Sequence, residues 1–141
     1  MDEFDNITKK IRKQENKQIE FESNIKDLQE KLELLLVAQD KKKKTQDYFL
    51  EFQYRKKRKY QEMYDVSNNI RFARTHAIST LDTLNSNQSH YIEHEFENVL
   101  QKIQQEIEKT EIEITQNKVS IGQCNSLIDN LYGQRSITIG K

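Results

Sequence analysis

The sequence predicts an all-α protein, an elongated antiparallel helical hairpin or coiled coil in which a long first helix lies against a short middle helix and a heptad-bearing C-terminal helix. Three observations predict it. Only 34% of the 141 residues are apolar and 33% are charged, whereas a compact domain is about 45–50% apolar. A narrow seam must therefore replace a broad core. There is no proline, and no glycine lies between Met1 and Gly122, so nothing breaks a helix over most of the chain. Finally, Ile and Leu recur at alternating spacings of four and three, the period of coiled-coil a and d positions.

Helix 1 is expected over residues 3–65. Phe4, Ile7 and Ile11 start its seam, Gln14 and Gln18 interrupt it, and Phe21, Ile25, Leu28, Leu32 and Leu35 resume the same frame. Over Lys41 to Lys44 the seam thins, and it is expected to return through Tyr48, Phe49, Phe52, Tyr60, Met63 and Tyr64. The polar run Val66-Ser67-Asn68-Asn69 reads as its end, because Asn accepts turn conformations readily. A middle helix is expected over 70–84, with Ile70, Ala73, Ala77, Leu81 and Leu84 on one face. Residues 85–89 then read as a kink or loop, with Ser89 as the N-cap of the next helix.

Helix 3, expected over 90–132, has the clearest pattern. Phe96, Leu100, Ile103, Ile107, Thr110, Ile114, Asn117, Ile121, Cys124, Ile128 and Leu131 keep the heptad seam for about five heptads. Only Thr110 and Asn117 are polar, and a polar seam residue fixes register or partner number at a cost in stability. Helix 1, about 93 Å long at about 1.5 Å per residue, nearly matches the other two helices laid end to end, which closes the hairpin. Residues 1–133 form a single domain in this reading, and 134–141 a flexible tail.

Composition narrows the function. Net charge is zero, with 23 basic and 23 acidic residues, so no global field draws the chain to nucleic acid or membrane. The single Cys124 sits at a seam position and reads as a small buried apolar residue. No apolar run approaches the ~20 residues of a membrane span, and the acidic N-terminus lacks the apolar stretch of a signal peptide. His90-Tyr91-Ile92-Glu93-His94 matches the H-x-x-E-H string of inverted zinc peptidases. A catalytic zinc also needs a third protein ligand and a pocket, so His94 is expected on the solvated side. Gly133 to Lys141 lacks phosphate-loop spacing. No catalytic residue, metal or cofactor is expected, and the chain reads as non-enzymatic.

Two features remain. Arg55, Lys56, Lys57, Arg58 and Lys59, with Lys41 to Lys44, form a basic stretch. It reads either as a nucleic-acid patch or, in the favoured reading, as a solvated face pairing with Glu106, Glu108, Glu111 and Glu113. Apolar residues off the strict frame, Ile19, Leu34, Leu36, Val37 and Tyr54 on helix 1 and Ile92, Val99 and Ile112 on helix 3, exceed what one seam needs. Of these Leu34, Leu36, Val37 and Ile112, with Phe52, are singled out as the expected partner-facing residues.

The stretch from Phe96 to Ile107, continuing through Ile121 and Leu131 and supported by Ile7 to Leu36, resembles the LXG-toxin-associated small α-helical proteins of type VII secretion, within the WXG-like helical hairpin superfamily. The resemblance implies a chaperone or targeting factor that binds the helical region of an LXG-type toxin, with or without a second small helical protein. It also implies a cytoplasmic location and co-secretion with the partner. The family's Trp-x-Gly turn is absent, with Phe72 the nearest aromatic. Its export signal, an aromatic followed four residues on by an acid, is not matched at Tyr132 and Ser136, though Tyr91 and Glu95 have the spacing. The alternatives are a cytoplasmic coiled-coil stalk or scaffold of another export or motor complex, and nucleic-acid binding through residues 55–59.

Overall fold

A computed structural model describes residues 2–67 and 70–140. The chain is all-α, with helices α1 (Asp2–Val66), α2 (Arg71–Leu84) and α3 (Asn87–Gly140) and no strand among the described residues. It is a helical hairpin in which α1 pairs antiparallel with α2 and α3. Its tertiary contacts fall into two compact units. Unit 1 joins residues 1–35 with 106–141, and unit 2 comprises residues 36–105. The expected turn at Asn68-Asn69 lies outside the described residues.

Unit 1 is held by the heptad seam. Ile7, Ile11 and Ile128 are buried together with Leu131 packed against them, and Ile107, Ile114 and Cys124 are also buried. Full burial of such a side chain is worth about 1.5–3 kcal/mol, and the half-buried seam residues Phe21, Ile25, Leu28, Leu32, Leu35, Ile121 and Leu131 add to it. The two polar seam residues of α3 spend hydrogen bonds inside their own helix. Thr110, 1% exposed, donates from Oγ1 to the Glu106 carbonyl at 2.7 Å, and Asn117 Nδ2 donates to the Glu113 carbonyl at 2.8 Å. Gln18 reaches across to the Asn125 side chain. Lys31 Nζ meets Glu106 Oε1 at 2.7 Å on the flank, both side chains partly exposed.

α3 does not end near residue 132. It runs helically to Gly140, so the expected tail at 134–141 is helix through 140. Two causes are visible. Gly133 costs a helix about 1 kcal/mol against Ala but has no positive φ here, and no proline follows to end the helix. Arg135 also anchors the last turns, its guanidinium 4.7 Å from the Tyr132 ring centroid and 5.4 Å from that of Phe4.

Unit 2 is built differently. The spacing of four and three carries on from Leu35 through Gln39, Lys42, Gln46, Phe49, Gln53, Lys56, Tyr60 and Met63. Of these only Lys42 is exposed. Tyr48 and Phe52, expected in the seam, are instead 78% and 52% exposed, because they fall off that frame. Gln39 Nε2 donates to Gln104 Oε1 at 2.7 Å, and Gln53 Nε2 donates to Ser89 Oγ at 2.6 Å. Ser89 is therefore no N-cap. α3 already starts at Asn87, its first turn closed by the His90 amide on the Ser86 carbonyl at 3.3 Å. α2 packs on the end of α1 through fully buried Ala77. The Arg74 guanidinium also covers the Tyr64 ring at 4.7 Å and donates to its hydroxyl at 2.7 Å.

Candidate functional site

Every seam residue predicted on α3 faces inward. Ile107, Ile114 and Ile128 are buried, and Phe96, Leu100, Ile103, Ile121 and Leu131 are half-buried. The residues predicted to face a partner are all exposed, from 47% at Leu36 to 72% at Leu34, with Val37, Phe52 and Ile112 between. Exposed large apolar side chains are the informative kind when they are contiguous rather than scattered. Leu34 and Ile112 lie in unit 1, and of these five only Phe52 joins such a contiguous cluster, in unit 2.

There the Phe49 and Phe96 rings meet at 5.6 Å between centroids, and a hollow lies to either side of Phe96. One is lined by Lys44, Thr45, Tyr48, Phe49, Phe52 and Phe96. The other is lined by Lys42, Tyr91, Ile92, Glu95, Phe96 and Val99. Thr45 and Phe52 share the heptad position of Lys31, and Ile92 and Val99 share that of Glu106. Lys31 and Glu106 bond across one flank of the antiparallel pair. Both hollows therefore open on a single flank of unit 2, with Phe96 as the ridge between them. Ile92 and Val99, surplus apolar residues of the expected helix 3, line the second hollow, whereas Tyr48 and Tyr91 were not expected on a partner-facing surface. Continuing the heptad frame of Leu35 along α1 places Tyr48 and Phe52 outside the seam, and that signal was available.

The basic stretch finds partners along its own helix. The four acidic residues expected to neutralise it lie in unit 1, where Glu106 is taken by Lys31. Within unit 2, Lys44 pairs with Asp40 at 2.9 Å, Arg55 with Glu51 at 2.5 Å and Arg58 with Glu62 at 3.3 Å, each one turn along α1. Helix geometry brings i and i+4 side chains together, so local pairing needs no facing helix. Lys56 Nζ rests 5.6 Å above the Phe52 ring, and Lys59 is exposed while Lys57 is half-buried.

Among the described residues, the only resolved shifts in acidity belong to Lys31 and Glu106. The hydrogen bond from Lys31 is the main cause that holds the Glu106 carboxyl below its ordinary value, and the same bond raises Lys31. His90 Nδ1 is 3.9 Å from Glu93 Oε2, and His94 is exposed. No group of three or more His, Cys, Asp or Glu among the described residues is placed to hold a metal ion. Cys124 is a buried free thiol. No helix among the described residues is long and apolar enough to cross a membrane. Comparison with family models, curated proteins and solved structures finds no match to this chain.

Proposed function

We propose that this chain is a non-enzymatic helical partner protein that binds the helical targeting region of an LXG-type toxin of type VII secretion, as its chaperone or targeting factor. It would act in the cytoplasm and leave with its partner. The observation that carries the binding half of this reading is the contiguous apolar flank of unit 2, where Phe52, Phe96 and Ile92 border open hollows on a two-helix surface. Two helices side by side leave a groove that a third helix fills with its apolar stripe. The LXG half is supported by the sequence resemblance alone.

The test is gentle-salt affinity purification of the tagged full chain from its native cell, read by mass spectrometry. The reading expects a protein with a helical LXG-type region in stoichiometric amount. Recovery of a ring ATPase without such a protein would overturn it in favour of a motor or export stalk.

A further inference from the structure

In unit 2 polar and apolar residues have exchanged places. Along α1 the frame positions from 39 to 56 are Gln39, Lys42, Gln46, Phe49, Gln53 and Lys56, one apolar residue in six. Over the same turns the aromatic residues Tyr48 and Phe52 point to solvent. A hairpin needing only to close on itself would place them the other way round, since apolar area is stabilising only when it leaves water.

We propose that this flank is the docking groove for one amphipathic helix of a partner protein, and that the edge of that helix facing α1 is acidic. The inference rests on the reading of the chain as a helix-binding protein. It adds where the helix lies and which charge it carries. Phe49 and the Phe52 ring line the hollow on the α1 side and Ile92 and Val99 the one on the α3 side, with Phe96 between them. The rims differ in charge. From Asp40 to Tyr60, α1 carries nine basic side chains against three acidic, and two of those acids, Asp40 and Glu51, are already engaged by Lys44 and Arg55. At the hollows themselves the α1 side contributes Lys42, Lys44 and, over the Phe52 ring, Lys56. Of these only Lys44 is bonded to an acid, Asp40, so this edge is net positive, while the α3 side contributes Glu95. Such an edge attracts an acidic helix and repels a basic one. A nucleic acid would use the charge but leave the aromatic floor without an apolar partner.

The experiment uses the full chain and two fluorescein-labelled synthetic amphipathic peptides of about 21 residues, or three heptads. Both have Leu on the apolar face, and they differ only in carrying Glu or Lys at its edges. Fluorescence anisotropy should show the Glu peptide binding at least about tenfold more tightly than the Lys peptide, with the difference shrinking as salt rises. Phe52→Asp and Tyr48→Asp should each weaken the Glu peptide about tenfold or more. Both sites are exposed, so circular dichroism should be unchanged. Ile112→Asp, on unit 1, should leave binding intact.

Equal binding of the two peptides would overturn the charge assignment. If Ile112→Asp rather than Phe52→Asp abolished binding, the groove would be wrong while the helix-binding reading stood. A dimer that Phe52→Asp splits would make the occupant a second copy, and displacement by duplex DNA would make it a nucleic acid; either refutes the proposal. If neither peptide bound a monomeric chain, the groove and the helix-binding reading would fall together.

Discussion

Replacing Gln53 by Leu together with Ser89 by Ala should make unit 2 more stable, not less. Gln53 is 5% exposed and stands at a seam position, where its amide donates to Ser89 Oγ at 2.6 Å. A bond of this kind contributes about 0.5–1.5 kcal/mol net. A fully buried Leu contributes about 1.5–3 kcal/mol, part of which the Gln methylenes already supply. Ser to Ala inside a helix adds roughly 0.5 kcal/mol from propensity. The double variant should therefore gain about 1 kcal/mol, since removing both partners leaves no polar group stranded. Ser89→Ala alone should lose stability, because the Gln53 amide is then buried without its partner at a cost of about 1–3 kcal/mol. Urea titration followed by far-UV circular dichroism of the double variant and of the single variants Ser89→Ala and Gln53→Leu closes the mutant cycle. A double variant about 1 kcal/mol less stable than the parent would refute the view that the seam of unit 2 is held by replaceable polar contacts.

Ile107→Asp combined with Ile114→Asp should unfold unit 1, because each places a carboxylate in a buried seam where it finds no partner; helicity retained at the parent level would contradict this. Ile11→Ala should cost about 2–4 kcal/mol and Ile19→Ala at most about 0.5 kcal/mol, as the first is 3% and the second 64% exposed on the same helix. Denaturation midpoints decide between them. The Lys31–Glu106 pair makes stability depend on pH at both ends. Glu106 has a lowered pKa, so its contribution is complete above the ordinary carboxylate range and is lost as pH falls through the lowered value. Lys31 has a raised pKa, so its contribution is complete below the ordinary lysine range and is lost as pH rises through the raised value. In Lys31→Gln, an NMR titration should return the Glu106 carboxyl toward its ordinary value, and an unchanged midpoint would rule out Lys31 as the cause.

How much could be read in advance depended on which residues filled the heptad frame. On α3 the frame is written in Ile and Leu, and its seam was legible residue by residue. Beyond Leu35 on α1 the same frame is written in Gln39, Gln46 and Gln53, so reading hydrophobicity alone moved the seam onto the nearby aromatics Tyr48 and Phe52. The spacing carried the information that the residue types concealed. The start of α3 was missed for a related reason. Ser89 has the chemistry of an N-cap, but its hydroxyl meets a glutamine from the facing helix, and no local pattern announces that contact. The C-terminal turns were missed because their apolar heptad lapses; Arg135 holds them by stacking on Phe4 and Tyr132, a contact about 130 residues apart in sequence that local reading does not supply. The partners Asp40, Glu51 and Glu62 of the basic stretch were not anticipated because charge counting has no register.

The glutamine seam also governs motion. When two helices part along Ile and Leu, each turn of opening exposes apolar area and is opposed by the full hydrophobic term. Parting along Gln39, Gln46 and Gln53 exposes amides that water solvates at once, so the opening free energy per turn is much smaller. Local unfolding should accordingly begin between Gln39 and Lys56 and stop short of Ile11, leaving unit 1 as the slow-exchanging anchor. In that arrangement the section of chain that presents the aromatic flank is also the section that breathes.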